Sequence, residues 1–260
     1  MALNSLRKLA IYILSLLLLV PSYSQAKELK AVYAQDYLPF SWGDEQGLAR
    51  GVEVDFVKAL LIEKLGFKAS HTIFPWARAQ AMVQEGQADV FVTIPNKKRR
   101  SYALVSDIPL FSSNFLMHTG ASNPKKSRLS TITNLKDLIK QEDIIHGHIV
   151  GAGWHSVKLK GVRSLKIAPS SLQILQLLDR NRIDVYIEQT PLIRYQIKTL
   201  GFEGRIEEIP HILEETHWHI CLSKKSSFSG VMPQLNALLV KMKNDGTLLK
   251  LQEEVFSQYQ

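Results

Sequence analysis

Beyond residue 26, hydrophobic and polar positions follow two periods in turn. LKAVYAQ (29–35), KASHTIF (68–74) and ADVFVTI (88–94) alternate or run apolar over a strand's length. Between them, EVDFVKALLIEKLGF (53–67) places Val54, Val57, Leu60, Leu61 and Leu65 at helical spacing, with Gly66 as a stop. PWARAQAMVQEGQ (75–87) reads as a helix from Pro75 to Gly86. DYLPFSWGDEQG (36–47) carries the breakers Pro39 and Gly43 and reads as a loop. Strand and helix alternating at this spacing predict βαβ units and a mainly parallel sheet.

A second α/β set follows, from about Ala121 to Pro210. It contains a short helix in TNLKDLIKQ, a strand and glycine turn in DIIHGHIVGAG and a helix start in WHSVKLKG. The strand SLKIAPS, the helix SLQILQLLDRNR and the strand IDVYIEQ complete it. Long extended segments flank this set, FSSNFLMHTG before and EETHWHICLSK after, and the chain closes on two helices broken at Asp245–Gly246. Two α/β lobes joined by two extended crossings imply a hinge with a cleft between the lobes. Such clefts, at the carboxyl ends of strands, are where open α/β sheets bind ligands.

The first 26 residues change the setting. Arg7 and Lys8 precede an apolar run from Leu9 to Val20; Pro21 breaks it, and small residues stand at Ser24 and Ala26. That is the layout of a secretory signal peptide, with cleavage expected after Ala26 and a periplasmic product. The run is shorter than the roughly 20 residues a permanent span needs, and no cysteine follows it to carry a lipid. Cys221 is the only cysteine, so an intramolecular disulfide is excluded, and its strand-like surroundings predict a buried, inert thiol.

The formal charge is +8, and removing Arg7 and Lys8 leaves +6. This favours anionic partners without choosing among them. Four of the charges are consecutive, Lys97 to Arg100. Export and the absence of any nucleic-acid-binding signature argue against nucleic acid. A solvated turn and an anion clamp remain. No nucleophile motif and no phosphate-cradling glycine loop occurs, so neither catalysis nor a cofactor is expected. His217 and His219 share a strand face, but without a third ligand at metal spacing they read as packed or surface histidines.

Four stretches carry a resemblance: YLPFSWGDEQGLARGVEVDFVKALLIEKLG, EGQADVFVTIPNKKRRSYALVSDIPLF, DRNRIDVYIEQ and KMKNDGTLLKLQEE. In order and spacing they resemble the periplasmic solute-binding proteins of the polar amino-acid uptake type, family 3, over nearly the whole chain after residue 26. The resemblance implies a two-lobed type II periplasmic-binding-protein fold with a hinge of two crossing strands. Residues 27–115 and 216–260 would form one lobe and 116–215 the other. It implies a monomer that closes on a small solute, usually for an ABC permease.

The resemblance also implies site residues. The family's carboxylate-gripping arginine matches Arg99, six residues before Val105-Ser106, which stands at the Phe-Ser place. A guanidinium fork suits a carboxylate, and Lys97, Lys98 and Arg100 then read as solvated. Tyr37 is the best match for an aromatic wall, while Phe40 reads as core. Trp76 and Arg78 open the helix that faces the cleft, and Thr93 ends its strand, although the segment from Asp89 to Arg99 is shorter than usual. Ser156 stands where the family has a threonine and His155 where it has a glycine. The acid that holds an α-ammonium is Gln189 here, with Glu188 beside it. Either Glu188 takes that role or the ligand is no ordinary α-amino acid. Binding of a small carboxylate-bearing solute is the expected function. A cyclohexadienyl dehydratase-like lyase using Glu188 as general acid, or a stand-alone periplasmic sensor, are the alternatives.

Overall fold

The structure is a computed structural model that describes residues 27–150 and 153–259, without the side chains of Gly153 and Ser156. The leader expected at residues 1–26 lies outside them. The strands are β1 (Leu29–Ala34), β2 (Asp36–Tyr37), β3 (Ser41–Gly43), β4 (Ala49–Arg50), β5 (Ala69–Phe74), β6 (Val90–Thr93), β7 (Ala103–Val105), β8 (Phe111–Gly120), β9 (His146–Ile149), β10 (Leu165–Ala168), β11 (Tyr186–Gln189) and β12 (Ile206–Ser223). The helices are α1 (Val52–Val57, continued by a wider turn over Lys58–Lys64), α2 (Trp76–Glu85), α3 (Lys97–Tyr102), α4 (Lys126–Leu129), α5 (Leu135–Ile139), α6 (Gly153–Lys158), α7 (Ser171–Asp179), α8 (Thr190–Thr199), α9 (Met232–Asn244) and α10 (Thr247–Ser257).

The predicted helices and strands form, but the sheet differs from the expected one. Its order is β11-β8-β12-β6-β1-β5, with β7 also on β12. Only β1 runs parallel to its neighbours β5 and β6; β12 is antiparallel to β6, β7 and β8, and β11 to β8. The sheet is therefore mixed. The 18-residue β12 runs beside β8 up to Trp218 and continues beside β6 and β7. One strand thus serves both halves, and pairing over such separations leaves no local mark in the sequence. The loop expected at 36–47 is also wrong in part: β2, β3 and β4 form a small antiparallel sheet there.

Burial follows the periodicities. One apolar core gathers β1, α1, α9 and α10 around Leu60, Phe111, Trp218 and Leu235; another fills the opposite side of β6 around Val83, Phe91 and Cys221. Two further cores lie among β8, β9, α7 and β11. The α8 helix, unmarked in the sequence reading, sends Leu192 into the first core and Ile193 into the second half. Cys221 is fully buried, and burial pushes its thiol up to about 12.

Asp184 ties the second half together. Its Oδ2 accepts from the Ile145 N–H and the Lys125 ammonium, each at 2.8 Å, while its carbonyl accepts from Thr119 Oγ1 and Asn123 Nδ2. Asp184→Ala leaves the part-buried Ile145 N–H without its acceptor and the Lys125 ammonium without its closest carboxylate, although Lys125 keeps the Asp143 carbonyl. We expect a loss of about 2–3 kcal/mol, read as a lower urea midpoint at unchanged m-value.

Candidate functional site: a cleft between the two halves

The carboxyl ends of β1 and β6 in one half and of β11 in the other open onto a cleft of about 540 Å³, within the range of small-molecule sites. Its lining includes Tyr37, Glu53, Trp76, Thr93, Arg99, Trp154, His155, Glu188, Gln189 and Trp218. A larger depression of about 980 Å³ lies by α8 and α10, but its Arg194 and Glu208 already pair with each other at 2.9 Å. We place the site in the smaller cleft because its Arg99, Glu53 and Glu188 form no ion pair among the described residues.

The basic cluster resolves into one inward and three outward charges. Asn96 caps α3, its side chain accepting from the Arg99 N–H at 2.8 Å. The short helix this starts leaves Lys97, Lys98 and Arg100 exposed and Arg99 half-buried. The Arg99 guanidinium donates to the Ile94 carbonyl at 2.6 Å and to Gln80 Oε1 at 3.1 Å, and lies 5.3 Å from the centre of the Trp76 ring. No carboxylate pairs with it among the described residues. Burial lowers its pKa, the direction expected of a cation with no counter-ion.

Gln189 and Glu188 sit at the end of β11, as the motif placed them. The Gln189 amide donates to Tyr37 Oη at 2.8 Å, and its oxygen accepts from Trp218 Nε1 at 3.3 Å. It thereby ties the second half to the aromatic wall of the first. The Glu188 carboxyl is buried; Tyr186 Oη donates to one oxygen and the Gln189 N–H to the other, both at 2.8 Å. Burial still raises its pKa.

Of the sequence-predicted residues, Arg99, Tyr37, Thr93, Trp76, Glu188 and Gln189 come together here. Arg78 does not: it is exposed, its guanidinium 4.8 Å from the centre of the Phe74 ring and outside the cleft lining. The Ser156 side chain lies outside the described residues. Phe40 is fully buried beneath Tyr37, as core. His217 meets the Ser112 hydroxyl and His219 donates to the Ser106 carbonyl, each through Nδ1 at 2.8 Å.

Sequence reasoning missed Glu53, Phe115, Trp154, His155 and Trp218. Trp154 stacks on Phe115 at 4.3 Å and 7°, and its indole donates to Glu214. His155 Nε2 donates to the Ile187 carbonyl at 2.6 Å. Trp218 stacks on Phe40 at 4.8 Å. The tryptophans are legible as residue types, but their convergence depends on strand pairings that the sequence does not display.

Two α/β halves joined by long crossing strands, with an aromatic cleft and a guanidinium that no carboxylate neutralises among the described residues, define a two-lobed binding fold. The chain belongs to the bacterial extracellular solute-binding proteins, family 3, whose family pattern matches residues 29–258. A search of curated proteins by sequence gives no match. Among solved structures the chain is similar to an ancestral cationic amino-acid solute-binding protein, with 22% identity over 88% of this chain and 95% of that one and a TM-score of 0.68. It is also similar to the L-cystine solute receptor of Neisseria gonorrhoeae in its unliganded open conformation (18%, 90% and 94%, 0.65). A histidine kinase sensor domain with similarity to periplasmic binding proteins matches too (14%, 88% and 96%, 0.67). At these identities the likeness is one of fold.

Proposed function

We propose that this chain captures a small carboxylate-bearing solute, an amino acid or a close relative, by closing its lobes over it. Residues 27–115 with 216–260 form one jaw and 116–215 the other, and ligand contacts to both favour the closed state. Arg99 grips the carboxylate, Tyr37, Trp76, Trp154 and Trp218 cover the body of the ligand, and Thr93 adds a hydroxyl. The observation that carries this reading is the half-buried Arg99 guanidinium, turned into the cleft without an acid to neutralise it. Two of the structural relatives are named for amino-acid ligands, which accords with it. With the signal-like leader, the natural role is periplasmic capture for an ABC-type permease.

A lyase on the same scaffold has less support. Its general acid would be Glu188, and both oxygens of that carboxyl accept hydrogen bonds from Tyr186 and Gln189. We therefore propose no covalent step.

A thermal-shift screen against the amino acids and small organic acids tests the function. A bound solute stabilises the fold by mass action, by about 2.7 kcal/mol at a hundred times its Kd. We expect the melting temperature to rise with concentration for a narrow group of carboxylates. No response to any carboxylate at millimolar concentration would contradict the proposal.

A further inference from the structure

The cleft contains an acid with no assigned role. Glu53 is 3% exposed and lines the cleft. Its position is built by Gly51, whose φ of 120° and close approach to Phe40 exclude a side chain: a Cβ there would lie 2.4 Å from the Phe40 carbonyl oxygen. That turn lets the Val52 and Glu53 N–H groups donate to the Pro39 and Phe40 carbonyls at 3.0 and 2.9 Å, which fixes the start of α1 against the aromatic wall.

The surroundings of Glu53 hold no cation. No lysine, arginine or histidine pairs with it among the described residues. The groups that face it are the phenols of Tyr33 on β1 and Tyr37 on β2 and the hydroxyl of Ser41 on β3. Arg99 and Glu188 act on the same Tyr37 phenol from α3 and β11. Asp55, two residues on, is engaged elsewhere, accepting from Tyr259 and lying 3.8 Å from Lys58.

Of the other acceptors at the cleft, Asp36 is an exposed rim carboxylate that accepts from Gln35 and stays in water, and those inside are occupied. The Gln189 amide is spent on Tyr37 and Trp218, and the Glu188 oxygens on Tyr186 and the Gln189 N–H. An ammonium drawn out of water into this cleft needs an acceptor, and preferably a charged one. Resting on the reading of the cleft as the ligand site, we propose that Glu53 is the counter-charge for a cationic nitrogen on the ligand, and that capture expels one proton from its carboxyl to the solvent. Before binding, a buried carboxyl with a neutral hydroxyl beside it but no cation keeps its proton; the ammonium makes the ionised form the stable one. Burial pushes Glu53 up to about 8 in the free protein, which fits a group protonated at neutral pH. The site thus selects ligands carrying both a carboxylate and a cationic nitrogen, and holds them more weakly as the medium becomes acidic.

Calorimetric titration of the mature chain near neutral pH tests this. The probes are the L-amino acids and, for each that binds, the deamino acid with the same carbon skeleton. Heats are compared in phosphate and Tris, whose ionisation enthalpies differ. We expect close to one proton released per amino acid bound, close to none for the deamino acid, and none for Glu53→Gln. Binding of amino acids by the wild type without proton release, or release retained in Glu53→Gln, would overturn the proposal.

A ligand-free arm separates this from failure of the carboxylate reading. A carboxyl raised in the folded state costs stability as pH climbs from its unfolded value towards about 8. The melting temperature of Glu53→Gln should therefore gain on the wild type between about pH 5.5 and about pH 8.5. A constant difference overturns the proposal even if no probe binds. Should the variant not fold, infrared titration of the wild type decides: a protonated carboxyl band persisting to neutral pH supports it, and its absence above about pH 6 overturns it.

Discussion

Arg99→Ala is expected to weaken binding of the carboxylate solute by about 3 kcal/mol, roughly two orders of magnitude in Kd. A bidentate pair between guanidinium and carboxylate, sheltered by Trp76 and the closing second lobe, exceeds an exposed ion pair because little water screens it. Truncation leaves the ligand carboxylate desolvated with no charge opposite. The ligand-free protein should tell the opposite story. Arg99 is half-buried among neutral acceptors, Ile94, Gln80 and Tyr102, with no carboxylate among the described residues, so it burdens the apo fold, and the melting temperature of Arg99→Ala without ligand should match or slightly exceed the wild type. Loss of the ligand-induced shift with an unharmed apo protein separates a binding role from a structural one. Arg99→Lys should recover only part of the affinity, since a point ammonium does not reproduce the fork.

The second large effect concerns the aromatic cluster that packs beneath Trp218 of the cleft. Phe111→Ala should destabilise the protein by about 3–5 kcal/mol. Phe111 is 3% exposed at the start of β8. It stacks on Phe40, Phe56 and Trp218 at 5.9, 5.4 and 5.6 Å, and meets Phe256 edge-on at 5.1 Å. Removing the ring opens a cavity that four other large rings cannot close without leaving their rotamers. Because Trp218 lines the cleft and Phe40 supports Tyr37, affinity should fall as well. Urea unfolding at constant m-value reads the first effect and calorimetry the second. A loss below about 1 kcal/mol would show that the aromatic cluster repacks freely.

Much of this architecture was legible in the residues. Helices with a clear apolar stripe, such as Trp76–Glu85 ended by Gly86 in the left-handed region, formed where their spacing placed them. Arg99 could be singled out from four adjacent charges, because the resemblance supplied a register for the cluster. What escaped was decided by long-range pairing. The mixed sheet arises because β12 runs antiparallel to three partners far away in sequence. The α8 helix opens on Thr190-Pro191 and buries only Leu192 and Ile193, which is too little periodicity to announce it. Glu53 did leave a signal. An acid buried with Val52, Val54, Phe56 and Val57, unlike the partly exposed Asp55 two residues on, interrupts the packed face of the helix, and such an interruption calls for a reason. Arg78 illustrates the reverse: a helix start beside the cleft does not oblige each of its residues to face inward.

The central claim is that the Arg99 guanidinium recognises a carboxylate inside the cleft. The most direct test is a cycle of four affinities: the best carboxylic acid from the screen and its primary amide, each measured by calorimetry against the wild type and Arg99→Ala. Coupling of about 2 kcal/mol or more is predicted, with the wild type strongly preferring the acid and the variant nearly indifferent. An amide that binds the wild type as tightly as the acid, or an equal preference in both proteins, would contradict it.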